Sequence, residues 1–283
     1  MLSAATEPQP AEVGYAKRMV ERYGHGWAER AEDAIAEEVP VAMVYNGVSF
    51  AVMMMTPLDL EDFALGFSMS EGLVRHAAQL GSIGVHLRME GIELVMEVAE
   101  LTFGQHPGAH QQRLLPGRSG CGLCGARTLE DAVRHPGPVG QGPQIDSDTL
   151  QKALSALRAA QPINLATGSV HAAAWVDTRG RIMLVREDVG RHNALDKLIG
   201  AMLRSGIDPE AGFLLVTSRA SYEMVIKATT IGITIMAAIS APTALGIHLA
   251  RDTGLTLIGF ARADSHVVYT HPQRLRHAVG AST

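Results

Sequence analysis

The two cysteines of this chain stand two residues apart, in Arg118-Ser119-Gly120-Cys121-Gly122-Leu123-Cys124-Gly125. Ser119, Gly120, Gly122 and Gly125 leave both sulfurs little steric cover, whereas a space-filling cysteine is usually buried. Residues 102–117 before them are polar, carry Gly, Pro and His, and follow no period of 2 or 3.6. That pattern reads as a mobile loop delivering an accessible thiol pair. Three chemistries use such a pair. A structural zinc needs four ligands, and His106 and His110 with Cys121 and Cys124 could supply them, although the intervening stretch is long and glycine-rich. A dithiol oxidoreductase usually sets its pair at a helix start just after a strand, and a loop precedes it here. Sulfur carriage is the third. A thiolate takes the outer sulfur of a donor persulfide, an acceptor then removes it, and the second thiol assists release by forming a disulfide. Arg118 beside the pair favours the thiolate. A zinc deaminase would need H-x-E and then Pro-Cys-x-x-Cys. Gly120 precedes Cys121, and His171-Ala172-Ala173 lacks the glutamate, so that chemistry is disfavoured.

A second group of residues points to an anion. In a parallel sheet, ligands lie beyond the carboxyl ends of the strands, beside helix N-termini. Four expected strand ends lead into Arg186-Glu187-Asp188-Val189-Gly190-Arg191-His192-Asn193, Thr217-Ser218-Arg219-Ala220-Ser221, Ser240-Ala241-Pro242-Thr243 and Ala261-Arg262-Ala263-Asp264-Ser265. Any one of these is an ordinary cap. Four of the same sense, three with arginine, suit a phosphate or pyrophosphate. There is no G-x-G-x-x-G opening a helix and no Walker-type lysine loop, which argues against ordinary dinucleotide or NTPase chemistry. Asp188, His192 and Asp196 are spaced four apart and read as a cap or salt bridge rather than an acid–base dyad. His171, at a strand start, reads as structural.

The elements that must position these residues are legible in outline. Residues 1–33 are polar and read as a flexible segment. Residues 35–55 are extended, with Asn46-Gly47 between two apolar runs as a hairpin signal. Thr56 is read as an N-cap with Pro57 at N1 of a helix reaching Gly72. Strands over 83–89 and 92–98 are expected to turn at Glu90-Gly91, and a short helix is expected over 126–134. Pro136, Pro138 and Pro143 mark a linker. A helix over 147–160 follows. Then come a hairpin through 177–180, a helix over 191–204, and strands and helices in alternation to residue 270, which imply a three-layer, mostly parallel sheet with a mixed edge. The domains expected are thus a flexible segment over 1–33, an α+β domain over 34–135 ending in the thiol loop, and an α/β domain over 144–276.

Composition narrows the function classes. Of 283 residues, 47% are hydrophobic, enough for a sizeable core, and 5% are aromatic, too few for an extended base-stacking platform. Lysine plus arginine number 24 against 29 acids, a formal charge of −5, which argues against a general nucleic-acid coat. The apolar runs over 231–239 and 241–249 are too short to span a bilayer. The first ten residues lack a basic and apolar export signal, so a cytoplasmic protein with reduced thiols is expected.

Together these residues resemble the formate dehydrogenase accessory sulfurtransferases, the FdhD family. The resemblance covers nearly all the chain from Glu38 onward. It rests on Thr56-Pro57 with Glu71-Gly72, the segment from Gly117 to Gly125, Thr167-Gly168 with Val170-His171, Ser218-Arg219-Ala220-Ser221, and Tyr269-Thr270. Its most specific mark is the run from Arg186 to Lys197. The resemblance implies a three-layer αβα, cytidine-deaminase-like C-terminal domain without deaminase activity, no structural metal, and a homodimer. It implies sulfur taken from a cysteine desulfurase onto Cys121, with Cys124 as partner. That sulfur would pass to the molybdenum bis(molybdopterin guanine dinucleotide) cofactor, activating formate dehydrogenase. GDP would be a fragment of that bound substrate. The cofactor segment maps to Phe260, Ala261, Arg262, Ala263, Asp264 and Ser265, and relatives often carry a more basic or glycine-containing end there. Arg219, Ser218, Arg191, His192 and Asp188 complete the expected cofactor-binding set. The other reading kept open is a non-catalytic cofactor chaperone with zinc on His106, His110, Cys121 and Cys124.

Overall fold

The structure, a computed structural model, describes residues 14–99 and 136–277. The thiol pair, His106, His110 and the helix expected over 126–134 lie outside the described residues. From Tyr15 onward, the flexible segment expected over 1–33 is replaced by an antiparallel ribbon of β1 (Tyr15–Gly24) and β2 (Trp27–Ala36). Its turn is His25-Gly26, with Gly26 at φ 80°. Lys17–Glu32 (2.8 Å) and Arg22–Asp33 (3.0 Å) ion pairs cross it. The sequence hides this ribbon because its few large apolar residues, Met19, Tyr23 and Trp27 among them, stay exposed, so no buried face marks the alternation.

The first core is a four-stranded sheet in the order β4-β3-β6-β5 under one helix. β3 (Val39–Tyr45) and β4 (Val48–Met55) form the Asn46-Gly47 hairpin, with φ of 49° and 78° at the two turn residues, the left-handed pair a type I′ turn needs. β5 (Leu80–Arg88) and β6 (Gly91–Val98) turn at Met89-Glu90, one residue earlier than the expected Glu90-Gly91. Gly91 instead opens β6 at φ 157°, where the Pro40 carbonyl leaves no room for a Cβ. Alternate residues Val41, Met43 and Tyr45, with Ile92, Leu94 and Met96, pack against Phe63, Ala64 and Phe67 of α1 (Leu60–Ser70). Thr56 does not cap this helix. The residue at the cap is Asp59, in a left-handed conformation and without a side-chain cap bond. Thr56 is engaged elsewhere, as described below.

The second core is a six-stranded sheet in the order β13-β12-β11-β10-β8-β9. Its strands are β8 (His171–Asp177), β9 (Ile182–Asp188), β10 (Gly212–Val216), β11 (Ile235–Ala238), β12 (Thr256–Arg262) and β13 (Ser265–Thr270). β10, β11 and β12 are parallel neighbours, and β8 runs antiparallel to both β9 and β10, so β9 to β12 share one direction. The runs Phe213–Leu215 and Ile235–Ala237 are apolar throughout because both sheet faces are covered. One face carries α2 (Ser147–Leu157), which follows the two-residue strand β7 (Ile145–Asp146). The other carries α4 (Arg191–Arg204), α5 (Tyr222–Thr230) and α6 (Ala244–Thr253), after the short α3 (Pro162–Thr167). A last pair of residues, β14 (Leu275–Arg276), pairs with β7.

Helix contact and the buried ion pairs described below join the halves. α1 crosses α4 with their backbones in contact: a Cβ on Gly66 would strike the Asp196 carbonyl, and one on Gly200 the Asp62 carbonyl. Residues 136–144 are held by Arg274, whose guanidinium donates to the carbonyls of Gly140 (2.8 Å), Gln141 (2.6 Å) and Gly254 (2.7 Å). Among the described residues no helix is long and apolar enough to cross a membrane.

Candidate functional site

The shared direction of β9 to β12 brings their carboxyl ends, and the start of antiparallel β8, to one edge of the large sheet. His171 pairs with Asp188 there, and the Thr217 N–H donates to the Ala172 carbonyl (3.0 Å). Ile239 and Phe260 continue the ladder through the carbonyls of Val216 (3.0 Å) and Ser240 (3.2 Å). Three helices start at this edge: α4 with Arg191, α5 after Ser221, and α6, where Thr243 Oγ1 accepts from the Gly246 N–H. The Ser221 side chain makes no cap bond, and among the described residues its Oγ, Arg191 Nε and His192 Nε2 are buried without a hydrogen-bond partner. Arg219 is exposed and Ser218 is buried, with its hydroxyl donating to the Arg219 carbonyl (3.1 Å). Free N–H groups at helix starts, an unpaired hydroxyl and arginines are a donor set suited to phosphate oxygens.

The expected segment 260–265 is not a simple strand end. β12 continues past β11 and turns back into β13 through Ala263-Asp264, with Arg262 opposite Ser265 and a register shift between Gly259 and Arg262. Phe260 sits at that shift with φ 49°, 39% exposed, and Arg262 lies over its ring at 5.7 Å. A bulky residue at positive φ is strained, a state that clusters at functional sites. Ala261 is fully buried in the core on the opposite face of the strand. Arg262, Ala263, Asp264 and Ser265 are exposed along with Phe260, and the Asp264 N–H is taken by Gln151 Oε1 (3.1 Å).

Asp188, expected among the ligand contacts, faces inward with no exposure at all. Its Oδ1 accepts from the N–H of Gly190 (2.7 Å) and from Asn193 Nδ2 (3.0 Å). Its Oδ2 accepts from the Thr56 N–H (3.1 Å) and pairs with Lys197 (2.7 Å). Both oxygens are thus committed to protein, and Asp188 supports the edge from beneath. Asp196 is separate again, pairing with Lys227 (2.8 Å) and accepting from Ser70 (2.6 Å), while Lys227 also binds Glu71 (2.9 Å). Burial raises the Asp196 pKa even against the lysine charge, and the Asp196 and Glu71 carboxylates raise that of Lys227 against its own burial.

His192 meets neither aspartate. Its Nε2 lies 2.8 Å from Glu223 Oε2 in the first turn of α5, and Arg191 Nη2 lies 3.9 Å from the same oxygen. Burial pushes the Glu223 carboxyl up, but the close nitrogen and charge of His192, with Arg191 and Lys227, outweigh it and hold Glu223 below its ordinary value. His171 is pushed down by burial and by the charges of Arg191 and His192. Glu223 and Lys227 escaped the sequence reading, and Glu71 entered it only as part of the Glu71-Gly72 mark. An acid just after Ser218-Arg219-Ala220-Ser221 was the available signal for the first. Glu187, by contrast, caps α3 through the N–H groups of Ile163 (2.9 Å) and Asn164 (2.8 Å).

Residues 36–276 match the model of the FdhD/NarQ family, and the chain belongs to that family. It is 55% identical over 274 residues to the sulfur carrier protein FdhD of Xanthomonas euvesicatoria pv. vesicatoria, covering 95% of this chain and 96% of that one. It is 52% identical over 258 residues to the sulfur carrier protein FdhD of Cupriavidus necator, covering 91% and 89%. A crystal structure of a provisionally named formate dehydrogenase accessory protein from Desulfotalea psychrophila shares the fold. Its TM-score is 0.71 at 22% identity, over 93% of this chain and 99% of that one.

Proposed function

We propose that this protein is a cytoplasmic sulfur carrier in formate dehydrogenase maturation. The observation that carries the reading is the adjacent pair Cys121 and Cys124 in a chain 55% identical, nearly end to end, to a protein named as a sulfur carrier. The Cys121 thiolate attacks the outer sulfur of a persulfide on a cysteine desulfurase. The donor S–S bond breaks, a Cys121 S–S bond forms, and the donor leaves as thiolate. The acceptor is molybdenum bis(molybdopterin guanine dinucleotide), bound as substrate at the edge of the large sheet. Its pyrophosphates suit the donors of Arg191, Ser218, Arg219, Ser221 and Arg262, and the exposed Phe260 ring offers an apolar face beside them.

The second thiol completes the balance. Attack by Cys124 on the Cys121 sulfur forms the disulfide and releases the outer sulfur as hydrosulfide, so the thiol pair supplies the two electrons. Hydrosulfide would replace an oxygen ligand of molybdenum, and the oxygen would leave as water, taking up the proton that the Cys124 thiol releases as it forms the disulfide. The client is formate dehydrogenase, and the carrier acts as a homodimer. The test is reconstitution: reduced protein, cysteine desulfurase, cysteine, cofactor and inactive formate dehydrogenase, with formate oxidation as readout. Activation that requires all components supports sulfur transfer. Activation without the desulfurase, with zinc bound one to one and no titratable thiols, supports the chaperone instead.

A further inference from the structure

The ribbon of β1 and β2 leaves one long edge open. Among the described residues, β2 rests on α3, whereas β1 meets chiefly β2. The two strands pair along their whole length without a register shift, and at their base the Glu37 N–H donates to the Gly14 carbonyl (3.0 Å). That bond fixes the phase of the ladder. Bonding alternates along an antiparallel pair, so the even-numbered residues of β1 bond to β2 and the odd-numbered ones turn their N–H and C=O groups outward. Such a row is a template for another strand, and a two-stranded ribbon by itself is only marginally stable in water. The side chains of the outward-bonding residues include Met19, 55% exposed, and Tyr23, 73% exposed.

We propose that the outer edge of β1 pairs antiparallel with β1 of a second copy of this chain, about a two-fold axis at Met19, so that two ribbons become one four-stranded sheet. The inference rests on the homodimer proposed above and names its contact surface; it is independent of the sulfur chemistry. The order of charges in Tyr15-Ala16-Lys17-Arg18-Met19-Val20-Glu21-Arg22-Tyr23 selects the axis. An axis at Met19 sets Lys17 opposite Glu21 of the partner subunit, Tyr15 opposite Tyr23 of the partner subunit, and Met19 opposite itself. Every odd residue then faces an odd one, so outward N–H and C=O groups meet. On the other face Arg18 meets Val20 and Ala16 meets Arg22. An axis at Arg18 or Val20 would set arginine opposite arginine, and one at Lys17, Glu21 or Arg22 would set that charge opposite itself. Like charges directly opposite destabilise a strand pair, whereas opposite charges and aromatic pairs stabilise it. Lys17 also pairs with Glu32 of its own ribbon (2.8 Å), and Glu21 accepts from the Tyr23 hydroxyl (2.5 Å). An ammonium has three donors and a carboxylate two oxygens, so both keep capacity for the partner.

Sedimentation velocity on the reduced full-length protein, at about 0.1 M salt, reads the dimer dissociation constant. Lys17→Glu puts acids at both positions of the edge, and Glu21→Lys puts lysines at both. Each variant by itself sets like charges opposite one another twice per dimer and should weaken the dimer by roughly ten- to a hundredfold. Mixed in equal amounts, the two should dimerise with each other at about the parent value, because every pair is again opposite in sign. Met19→Pro removes an N–H that the ribbon itself does not use, and proline is accepted on a strand edge, so this variant should fold and stay monomeric. Should it fail to fold, the two charge variants decide. Single variants that dimerise like the parent, or a mixture as weak as either variant, overturn the edge pairing and leave the homodimer standing on another surface. A monomeric parent overturns the homodimer, and the pairing with it.

Discussion

Lys197 and Asp188 lie 2.7 Å apart with neither side chain exposed to solvent. The lysine comes from α4 and the aspartate from the end of β9, yet both also grip Thr56 in the other half of the chain: Lys197 through the Thr56 carbonyl (2.8 Å), Asp188 through its N–H (3.1 Å). The pair therefore fixes the first half of the protein against the sheet edge where the candidate site opens. Removing one partner of such a pair strands the other charge, at about 3–5 kcal/mol. Lys197→Met should lose that much in urea unfolding, and adding Asp188→Asn should recover part of it.

The crossing of α1 and α4 makes a separate stability prediction. Gly66 and Gly200 each face a backbone carbonyl of the other helix, which cannot move aside as a flexible side chain could. Gly66→Ala should cost about 1–3 kcal/mol or more, against the small gain alanine brings to an open helix position. A thermal midpoint at or above the parent value would contradict the close approach.

Much of this fold was legible because local rules and global packing agree. Asn46-Gly47 forms the hairpin its φ preferences favour, and the doubly covered strands β10 and β11 read as unbroken apolar runs. The β1–β2 ribbon was missed for want of a buried face, and the other misses share a long-range cause. Thr56 has the local look of an N-cap, but its groups serve partners 132 and 133 residues away, and no short-range rule sees that. Lys227 likewise reads as a helix-surface lysine until Asp196 and Glu71, 31 and 156 residues distant in sequence, are brought around it. At the site, the ends of β9, β10 and β11 were legible in outline, whereas the run of β12 on to Arg262, the inward turn of Asp188 and the Glu223 contact of His192 depend on tertiary packing. The chemistry of Cys121 and Cys124 rests on the sequence and the relatives, since both lie outside the described residues.

Glu223 carries a pH prediction. Its folded pKa is lowered, so it contributes stability above its unfolded value and loses it as pH falls through the folded one. At neutral pH, Glu223→Gln should be less stable than the parent. The gap should close as pH drops below the ordinary carboxylate range of about 4. Urea midpoints of both proteins between about pH 3 and 7 check this. A constant gap would contradict the charged pairing.

Arg219 is exposed at the helix start after β10, free to meet a ligand. A charge-assisted hydrogen bond is worth about 1.5–3 kcal/mol, so Arg219→Ala should weaken GDP binding by about ten- to a hundredfold. Calorimetry on both proteins decides it, and equal affinities remove Arg219 from the site.

The central claim is that Cys121 carries the sulfur. Reduced full-length parent, Cys121→Ser and Cys124→Ser would each be incubated with a cysteine desulfurase and cysteine, trapped by alkylation, and read by peptide mass spectrometry. One additional sulfur is expected on the Cys121 peptide sulfur in the parent and in Cys124→Ser, with none in Cys121→Ser, which should still fold. A persulfide confined to Cys124, or formate dehydrogenase activated normally by Cys121→Ser, would contradict it.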